Sequence, residues 1–89
     1  MVERRVTVVN AHGIHARPAA EIVKTAAKFA CDIKLEKDGL EVNGKSIMGV
    51  MMLAAGKGSR VTLDCSGERA EEALAALLAL IANRFGEAE

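Results

Sequence analysis

The sequence predicts an α+β fold, a two-layer open-faced sandwich in which helices cover one face of a four-stranded antiparallel sheet. Two kinds of hydrophobic periodicity support this prediction. Four short segments alternate apolar and polar residues with a period of two, as half-buried strands do. Longer segments repeat their apolar residues every three to four positions, as amphipathic helices do. Together the segments predict the order β-α-β-β-α-β-α in a single domain, residues 1–89.

The four predicted strands each have an apolar face for the core and a polar face for water. They cover residues 5–8, 31–36, 40–43 and 60–65. Between the second and third strands, Lys37-Asp38-Gly39 supplies the Asp-Gly signal of a tight hairpin turn. The face predicted to remain in water carries Arg5, Thr7, Lys34, Glu36, Glu41, Thr62 and Asp64.

Three segments have helical character. Residues 16–27 place Ala19, Ile22, Val23 and Ala26 on one stripe. Residues 47–53 are apolar nearly all round and predict a helix of one to two turns. Residues 70–85 carry the longest apolar stripe, and Gly86 ends that helix at little cost. The members of that stripe are Leu74, Leu77, Leu78, Ile81 and Phe85.

The composition argues against several classes of protein. Lys plus Arg and Asp plus Glu each number 12, so no basic excess points to nucleic acid. The longest apolar stretch, residues 73–82, is shorter than a bilayer-spanning helix, which needs about 20 residues. The N-terminal residues do not resemble a secretory signal, so Cys31 and Cys65 are expected to be reduced, buried thiols. We therefore expect a soluble cytoplasmic protein that binds neither nucleic acid nor membrane.

The segment Gly13-Ile14-His15-Ala16-Arg17-Pro18-Ala19 lies between the first predicted strand and the first predicted helix. Pro18 lacks an N–H, so it suits the first turn of a helix and puts His15 near the N-cap. The free N–H groups of that turn favour an anion, and the same positive potential keeps an imidazole neutral and nucleophilic. The segment therefore predicts a phosphoryl acceptor at His15, supported by Ala16 and Arg17. The alternative interpretation is an ordinary surface histidine.

This segment resembles the phosphohistidine signature of the HPr family, the phosphocarriers of the bacterial phosphoenolpyruvate-dependent phosphotransferase system. A second stretch, Asn43-Gly44-Lys45-Ser46-Ile47-Met48-Gly49-Val50-Met51, resembles the family's signature around a regulatory serine. The chain length, the element order and the spacing of the two motifs also match. The resemblance therefore covers the whole chain.

The resemblance implies a stoichiometric carrier rather than a turnover enzyme. His15 would hold the phosphoryl group on Nδ1, and Arg17 would support that group. The donor would be enzyme I, charged by phosphoenolpyruvate, and the acceptors would be sugar-specific IIA components. Because the partners would supply Mg²⁺ and most of the catalysis, no cofactor is expected on this chain. The chain is also expected to be a monomer.

Ser46 directly precedes the short apolar helix. Serine is among the best N-cap residues, and that function alone explains its position. The family resemblance adds a regulatory function, in which an ATP-dependent serine kinase and a phosphatase act on Ser46. A phosphate at a helix N-terminus is electrostatically tolerated, so the fold is expected to survive the modification.

The short helix carries more apolar surface than it can bury. Methionine adapts to surfaces that must fit several partners, and Met48, Met51 and Met52 all lie in this helix. We expect Val50 and Leu53 to point inward. The predicted docking face for enzyme I and the IIA components consists of Ala20, Lys24, Ile47, Met48 and Met51.

Two other patterns carry less weight. Residues 39–46 match the G-x-x-x-x-G-K-S pattern of a nucleotide-binding loop, but the intervening residues themselves read as a strand and the following helix is short. A nucleotide-binding module is thus a disfavoured alternative. His12 and His15 have an H-x-x-H spacing without further ligands nearby, so we expect no metal site.

Two positions depart from common sugar-transport members of the family. Ala54 stands where many have glycine, and Ala20 stands where many have a hydroxyl residue. Both positions leave open a regulatory, nitrogen-type paralogue. A separate alternative is a regulatory binding protein centred on Ser46, in which His15 is idle. Members that have lost carrier activity lack the histidine, whereas His15 is present here.

Overall fold

The computed structural model describes residues 2–9, 14, 16–53 and 55–83. Its elements follow the predicted order and join into one antiparallel sheet with strand order β1-β4-β2-β3. The predicted α+β open-faced sandwich is confirmed. The elements are β1 (Val2–Thr7), α1 (Ala16–Ala26), β2 (Asp32–Lys37), β3 (Leu40–Asn43), α2 (Ile47–Met52), β4 (Arg60–Ser66) and α3 (Ala70–Ala82).

The core lies between one face of the sheet and the helices. α1 and α3 pack against each other, and α3 also contacts β1 and β4. The central strands β2 and β4 supply the sheet side of the core, while the opposite face carries the charged residues that the alternation predicted. The sheet residues with almost no exposed surface are Ile33, Leu35, Val61, Leu63 and Cys65.

The β2–β3 hairpin forms as its sequence predicts. Asp38 and Gly39 have φ angles of 52° and 87°, so both central residues of the two-residue turn lie in the left-handed region. This is the arrangement of a type I′ turn, whose twist matches that of the flanking strands. The turn fixes the register in which Lys37 is paired with Leu40.

Some predicted boundaries are wrong by one to three residues. β1 begins at Val2 rather than residue 5, because its backbone pairs with β4 from Val2 opposite Cys65 onward, although charged residues 3–5 interrupt the apolar alternation. β2 and β4 extend one residue further, β2 begins one residue later, and α1 and α2 each end one residue earlier. α3 ends at Ala82, and the expectations for Phe85 and Gly86 lie outside the described residues.

Two apolar residues predicted in strands differ from expectation, Leu40 in its exposure and Val8 in lying outside its strand. Leu40 was expected on the apolar face of β3, yet 42% of it is exposed, because β3 is an edge strand at the hairpin end. Val8 was expected in β1, but it follows the strand. It is fully buried and donates its N–H to the Ser59 carbonyl at 2.9 Å.

The turn between β3 and α2 depends on a glycine that packs against the core. The Gly44 N–H donates to the Ile33 carbonyl at 2.8 Å, which extends the hairpin ladder by one bond. A Cβ at Gly44 would lie 2.6 Å from Ile33 Cγ2 and 2.9 Å from Leu35 Cδ1, and both of those side chains are buried. The position therefore has no room for a side chain.

We predict that Gly44→Ala lowers the free energy of unfolding by about 1–3 kcal/mol, the usual cost of overpacking a core. Urea unfolding followed by circular dichroism measures the change. The matched control is Gly56→Ala, where a Cβ meets nothing within 4 Å and the backbone is not left-handed. Equal stability of the two variants would show that the Gly44 site can accommodate the methyl group.

The two cysteines are free and buried, as predicted. Burial, then the neighbouring Cys31 thiol and the Asp64 carboxyl, raise the pKa of the Cys65 thiol from 9.0 to about 11. Between these two pH values the unfolded chain has released the Cys65 proton, whereas the folded chain retains it. Linkage then requires that stability falls as pH rises through this window.

We predict that the urea midpoint of the wild-type protein falls between pH 8.5 and pH 10, and that Cys65→Ala loses part of this decrease. Linkage places the loss of stability between the ordinary thiol pKa of 9.0 and the raised pKa of about 11, and pH 10 lies inside this range. The chain has no tyrosine, which removes one competing group in this range. An identical pH dependence in Cys65→Ala would contradict the prediction.

Candidate functional site

α1 begins at Ala16, the residue that follows His15 in the sequence. His12 and His15 lie outside the described residues, so the predicted phosphoryl acceptor stays a sequence-based prediction. What the structure describes is the chain on either side of it, at Ile14 and from Ala16 onward. These neighbours define how the chain enters α1.

Ile14 anchors the segment that leads into α1. Only 5% of Ile14 is exposed, and its N–H donates to the Ala55 carbonyl at 2.7 Å. The Gly58 N–H donates to the Val8 carbonyl at 2.8 Å, so the loop that follows α2 also holds the end of β1. The chain is therefore fixed two residues before α1 begins.

The first turn of α1 has one face in the core and one in solvent. Pro18 and Ala19 are buried, whereas Ala16 and Arg17 are exposed. Pro18 has no N–H to leave unpaired, and the remaining N–H groups of a first turn have no partner within the helix. The placement of Pro18 in the first turn is thus confirmed.

The N-terminus of α1 is electrostatically unlike that of α3. The first turn of α3 carries Glu71 and Glu72, which complement the positive end of its dipole. The first turn of α1 carries no acidic residue and instead has Arg17, whose charge adds to the positive end. This turn can attract an anion, at a small cost to the helix.

Ser46 is the N-cap of α2, as predicted. Its backbone is extended, with φ −117° and ψ 118°, and its Oγ accepts the Gly49 N–H at 3.2 Å. The turn before it is held by Asn43 Oδ1, which accepts the Lys45 N–H at 2.8 Å, and by Lys45 Nζ, which donates to the Phe29 carbonyl at 2.7 Å. The cap accounts for Ser46, and its regulatory function stays a prediction.

α2 divides its apolar residues between core and solvent. Val50 is fully buried and Leu53, just after the helix, is 3% exposed, which confirms the expected inward pair. Ile47 and Met51 are 44% and 43% exposed, and Met48 is 77% exposed. The three residues named for docking from α2 are therefore accessible.

The other predicted docking residues lie on α1, and their grouping with α2 as a docking face stays a prediction. α1 packs against α2, and both Ala20 and Lys24 are exposed on α1. Met52 was not among the predicted docking residues, yet it is 64% exposed. Its position four residues after Met48 places both on one helix face, and this spacing was the available signal.

No group of three or more metal-ligating side chains occurs in the part of the chain that the structure describes. No helix in those same residues is long and apolar enough to cross a membrane. The nucleotide-loop pattern has a different context from a phosphate-binding loop. Its residues 40–43 form β3, paired with β2, and α2 has only six residues.

The chain is similar to known phosphocarriers along its whole length. Residues 2–83 match the family model described as "PTS HPr component phosphorylation site". The phosphocarrier protein HPr of Cupriavidus necator is 53% identical over 89 residues, which is 100% of each chain. The crystal structure of HPr-C-His from Thermoanaerobacter tengcongensis superposes with a TM-score of 0.96 at 47% identity, again over 100% of each chain.

A second structure from Thermoanaerobacter tengcongensis, titled an HPr dimer, superposes with a TM-score of 0.79 at 48% identity. It covers 98% of this chain and 100% of that chain. The expected monomer therefore stays a prediction for this chain. The match over residues 2–83, the identity with a named phosphocarrier and the shared fold lead to one conclusion: this chain belongs to the HPr family of phosphocarrier proteins of the phosphotransferase system.

Proposed function

We propose that this chain is a cytoplasmic phosphocarrier that accepts a phosphoryl group on His15 from phosphorylated enzyme I and passes it to sugar-specific IIA components. The observation that carries the proposal is that α1 begins at Ala16, directly after His15, with Arg17 exposed in an acid-free first turn. Membership of a family whose model is named for its phosphorylation site agrees with this assignment. The chain acts stoichiometrically and needs no cofactor of its own.

The proposed step is a nucleophilic transfer. The lone pair of neutral His15 Nδ1 attacks phosphorus, a P–N bond forms, and the bond from phosphorus to the donor breaks. Positive potential at the start of a helix disfavours the imidazolium and so favours the nucleophilic form. The same potential suits the dianionic product, which the Arg17 guanidinium and the backbone N–H groups of Ala16 and Arg17 stabilise.

We assign the docking of both partners to the exposed side of α1 and α2. Ala20 and Lys24 on α1 and the accessible side chains of α2 supply an apolar surface with a basic edge. Methionine has three rotatable bonds, so one such surface can fit a donor and several acceptors in turn. All of these residues belong to one chain, so the proposal needs only a monomer.

We assign regulation to Ser46. Its hydroxyl lies at the start of α2, beside the proposed docking surface, and is half-buried. A phosphate there would place about two negative charges next to apolar residues that a partner covers. An ATP-dependent serine kinase and a phosphatase would thus control access to the carrier.

We predict that wild-type protein incubated with phosphoenolpyruvate, Mg²⁺ and enzyme I gains one acid-labile phosphate, whereas His15→Ala gains none. Arg17→Ala should accept phosphate about 10- to 1,000-fold more slowly, the range expected when one charge-stabilising group is lost. Intact mass before and after acid treatment measures both effects. Arg17 is exposed, so circular dichroism of its variant should show an unchanged fold.

The matched control for Arg17→Ala is Arg5→Ala, which removes an exposed arginine from the polar face of the sheet. Arg5→Ala should transfer at the wild-type rate, and equal slowing of the two variants would assign the effect to net charge. A folded wild type that takes no phosphate from enzyme I would contradict the carrier function. If it then took one acid-stable phosphate from an ATP-dependent kinase, a regulator centred on Ser46 would replace it.

We predict that Met48→Gln weakens docking, with an increase in the apparent KM for this chain of about 3- to 30-fold, equivalent to about 0.7–2 kcal/mol of lost contact. The control is Leu40→Gln, which changes another exposed apolar residue to the same amide outside α1 and α2. Enzyme I assays over a range of carrier concentrations measure KM and kcat. An unchanged KM for Met48→Gln would remove α2 from the docking surface.

A further inference from the structure

The accessible sulfur atoms of the described residues are concentrated on α2. The chain has four methionines, and three of them, Met48, Met51 and Met52, lie in this six-residue helix. Their exposed fractions are 77%, 43% and 64%. The two cysteines, by contrast, are almost fully buried, with 3% and 0% of their surface exposed.

Because of this distribution, a peroxide should react with the exposed methionine thioethers before the buried cysteine thiols. A cysteine reacts with peroxide as the thiolate, and burial both blocks access to Cys65 and raises its pKa to about 11. A thioether needs no deprotonation, so its rate of oxidation follows the accessibility of its sulfur. The same three methionines, together with Ile47, form the exposed apolar surface of α2 that the proposed partners contact.

We propose that Met48, Met51 and Met52 form a site of reversible oxidation by peroxides, which blocks docking of the carrier when they are converted to sulfoxides. This inference rests on the proposed docking function of α2. In the reaction a sulfur lone pair attacks one peroxide oxygen, an S–O bond forms, and the O–O bond breaks. The sulfur loses two electrons, and hydrogen peroxide is reduced to water.

The modification changes the chemistry of the surface without disturbing the core. A sulfoxide is polar and its oxygen is a hydrogen-bond acceptor, so an apolar partner surface leaves it unsatisfied when docking excludes water. The inward side of α2 consists of Val50 with Leu53 just beyond, which carry no sulfur and are buried. The oxidised protein therefore keeps its fold and loses its docking surface.

The state is reversible because a thiol reductant can remove the added oxygen. Two thiols are oxidised to a disulfide as the sulfoxide returns to the thioether, and one water is released. Methionine sulfoxide reductases catalyse this reaction, with one enzyme for each sulfoxide epimer. The carrier would thus respond to peroxide and recover when thiol reductant returns.

The test combines peptide mapping with transfer assays on full-length protein. Samples are treated with hydrogen peroxide, and trypsin then releases residues 46–57, which contain all three methionines of α2, separately from residues 1–4 with Met1. We expect oxygen to be added first at Met48 and Met52 and later at Met51. Oxidation of residues 46–57 at only a small fraction of its rate in the urea-unfolded chain would show that the methionines are protected by the fold and would overturn the proposal. Oxidation of the cysteines before the methionines would overturn it as well.

The functional arm measures phosphoryl acceptance from enzyme I at carrier concentrations below KM. Treated wild type should be slowed about tenfold, and methionine sulfoxide reductases with dithiothreitol should restore it. The variant Met48→Leu/Met51→Leu/Met52→Leu keeps apolar side chains without sulfur, and it should retain its own pre-treatment rate after peroxide. Each transfer rate is divided by the rate of the same protein before treatment, so a lower starting rate of the leucine variant does not affect the comparison.

The outcomes separate this proposal from the carrier function. Equal slowing of wild type and the triple leucine variant would assign the damage to another group and overturn the proposal. Fully oxidised wild type that transfers at its untreated rate would overturn it as well. Failure of the untreated wild type to accept phosphate would instead contradict the carrier function, and the oxidation site would be rejected with it.

Discussion

Only one face of the sheet is apolar, and this constraint determines where the helices lie and where the core forms. The strands alternate so strictly that Ile33, Leu35 and Leu63 reach the core while their neighbours reach water. The helices must therefore lie on the same side of the sheet. Two aromatic residues in the whole chain supply little bulk, so aliphatic side chains and alanines must fill the layer between. Close packing of these small side chains keeps the helices near one another.

This crowding on one side explains where the proposed site lies. α1 packs against both α2 and α3. α1 and α2 are therefore neighbours in the fold, although they begin about 30 residues apart in the sequence. The bond from the Ile14 N–H to the Ala55 carbonyl joins the two segments that flank this side. The proposed phosphoryl group next to α1 and the proposed docking surface would thus depend on one packing arrangement.

The helix termini show how local charge can serve different purposes in one small fold. α3 has a weak N-cap at Arg69, which is left-handed with φ 60°, yet Glu72 holds that arginine at 2.9 Å and the acidic first turn supports the dipole. α2 has a serine cap. α1 has neither an acidic first turn nor a neutral one, because Arg17 lies there. A charge that opposes the dipole is tolerable in a helix whose buried face, from Pro18 to Ala26, fixes it to the core. The proposed phosphoryl group would supply the missing negative charge.

The sequence by itself determined the number and order of the elements, the hairpin turn at Asp38 and Gly39, the cap at Ser46 and the inward pair Val50 and Leu53. Each of these depends on a local pattern, such as periodicity, turn chemistry or capping, that a few neighbouring residues express. It also singled out His15 and Arg17, because a proline three residues after a histidine locates the start of a helix.

The tertiary structure decided what pairing and packing control. β1 reaches Val2 because β4 offers it hydrogen-bond partners there, and Leu40 is exposed because it lies at the hairpin end of an edge strand. Gly44 has no space for a side chain because Ile33 and Leu35 approach it from the neighbouring strand. Met52 is exposed because Val50 and Leu53 are the residues of this segment that pack into the core. A local sequence pattern cannot predict these pairings, exposures and close approaches, because they depend on which distant segments pack together on one face of the sheet.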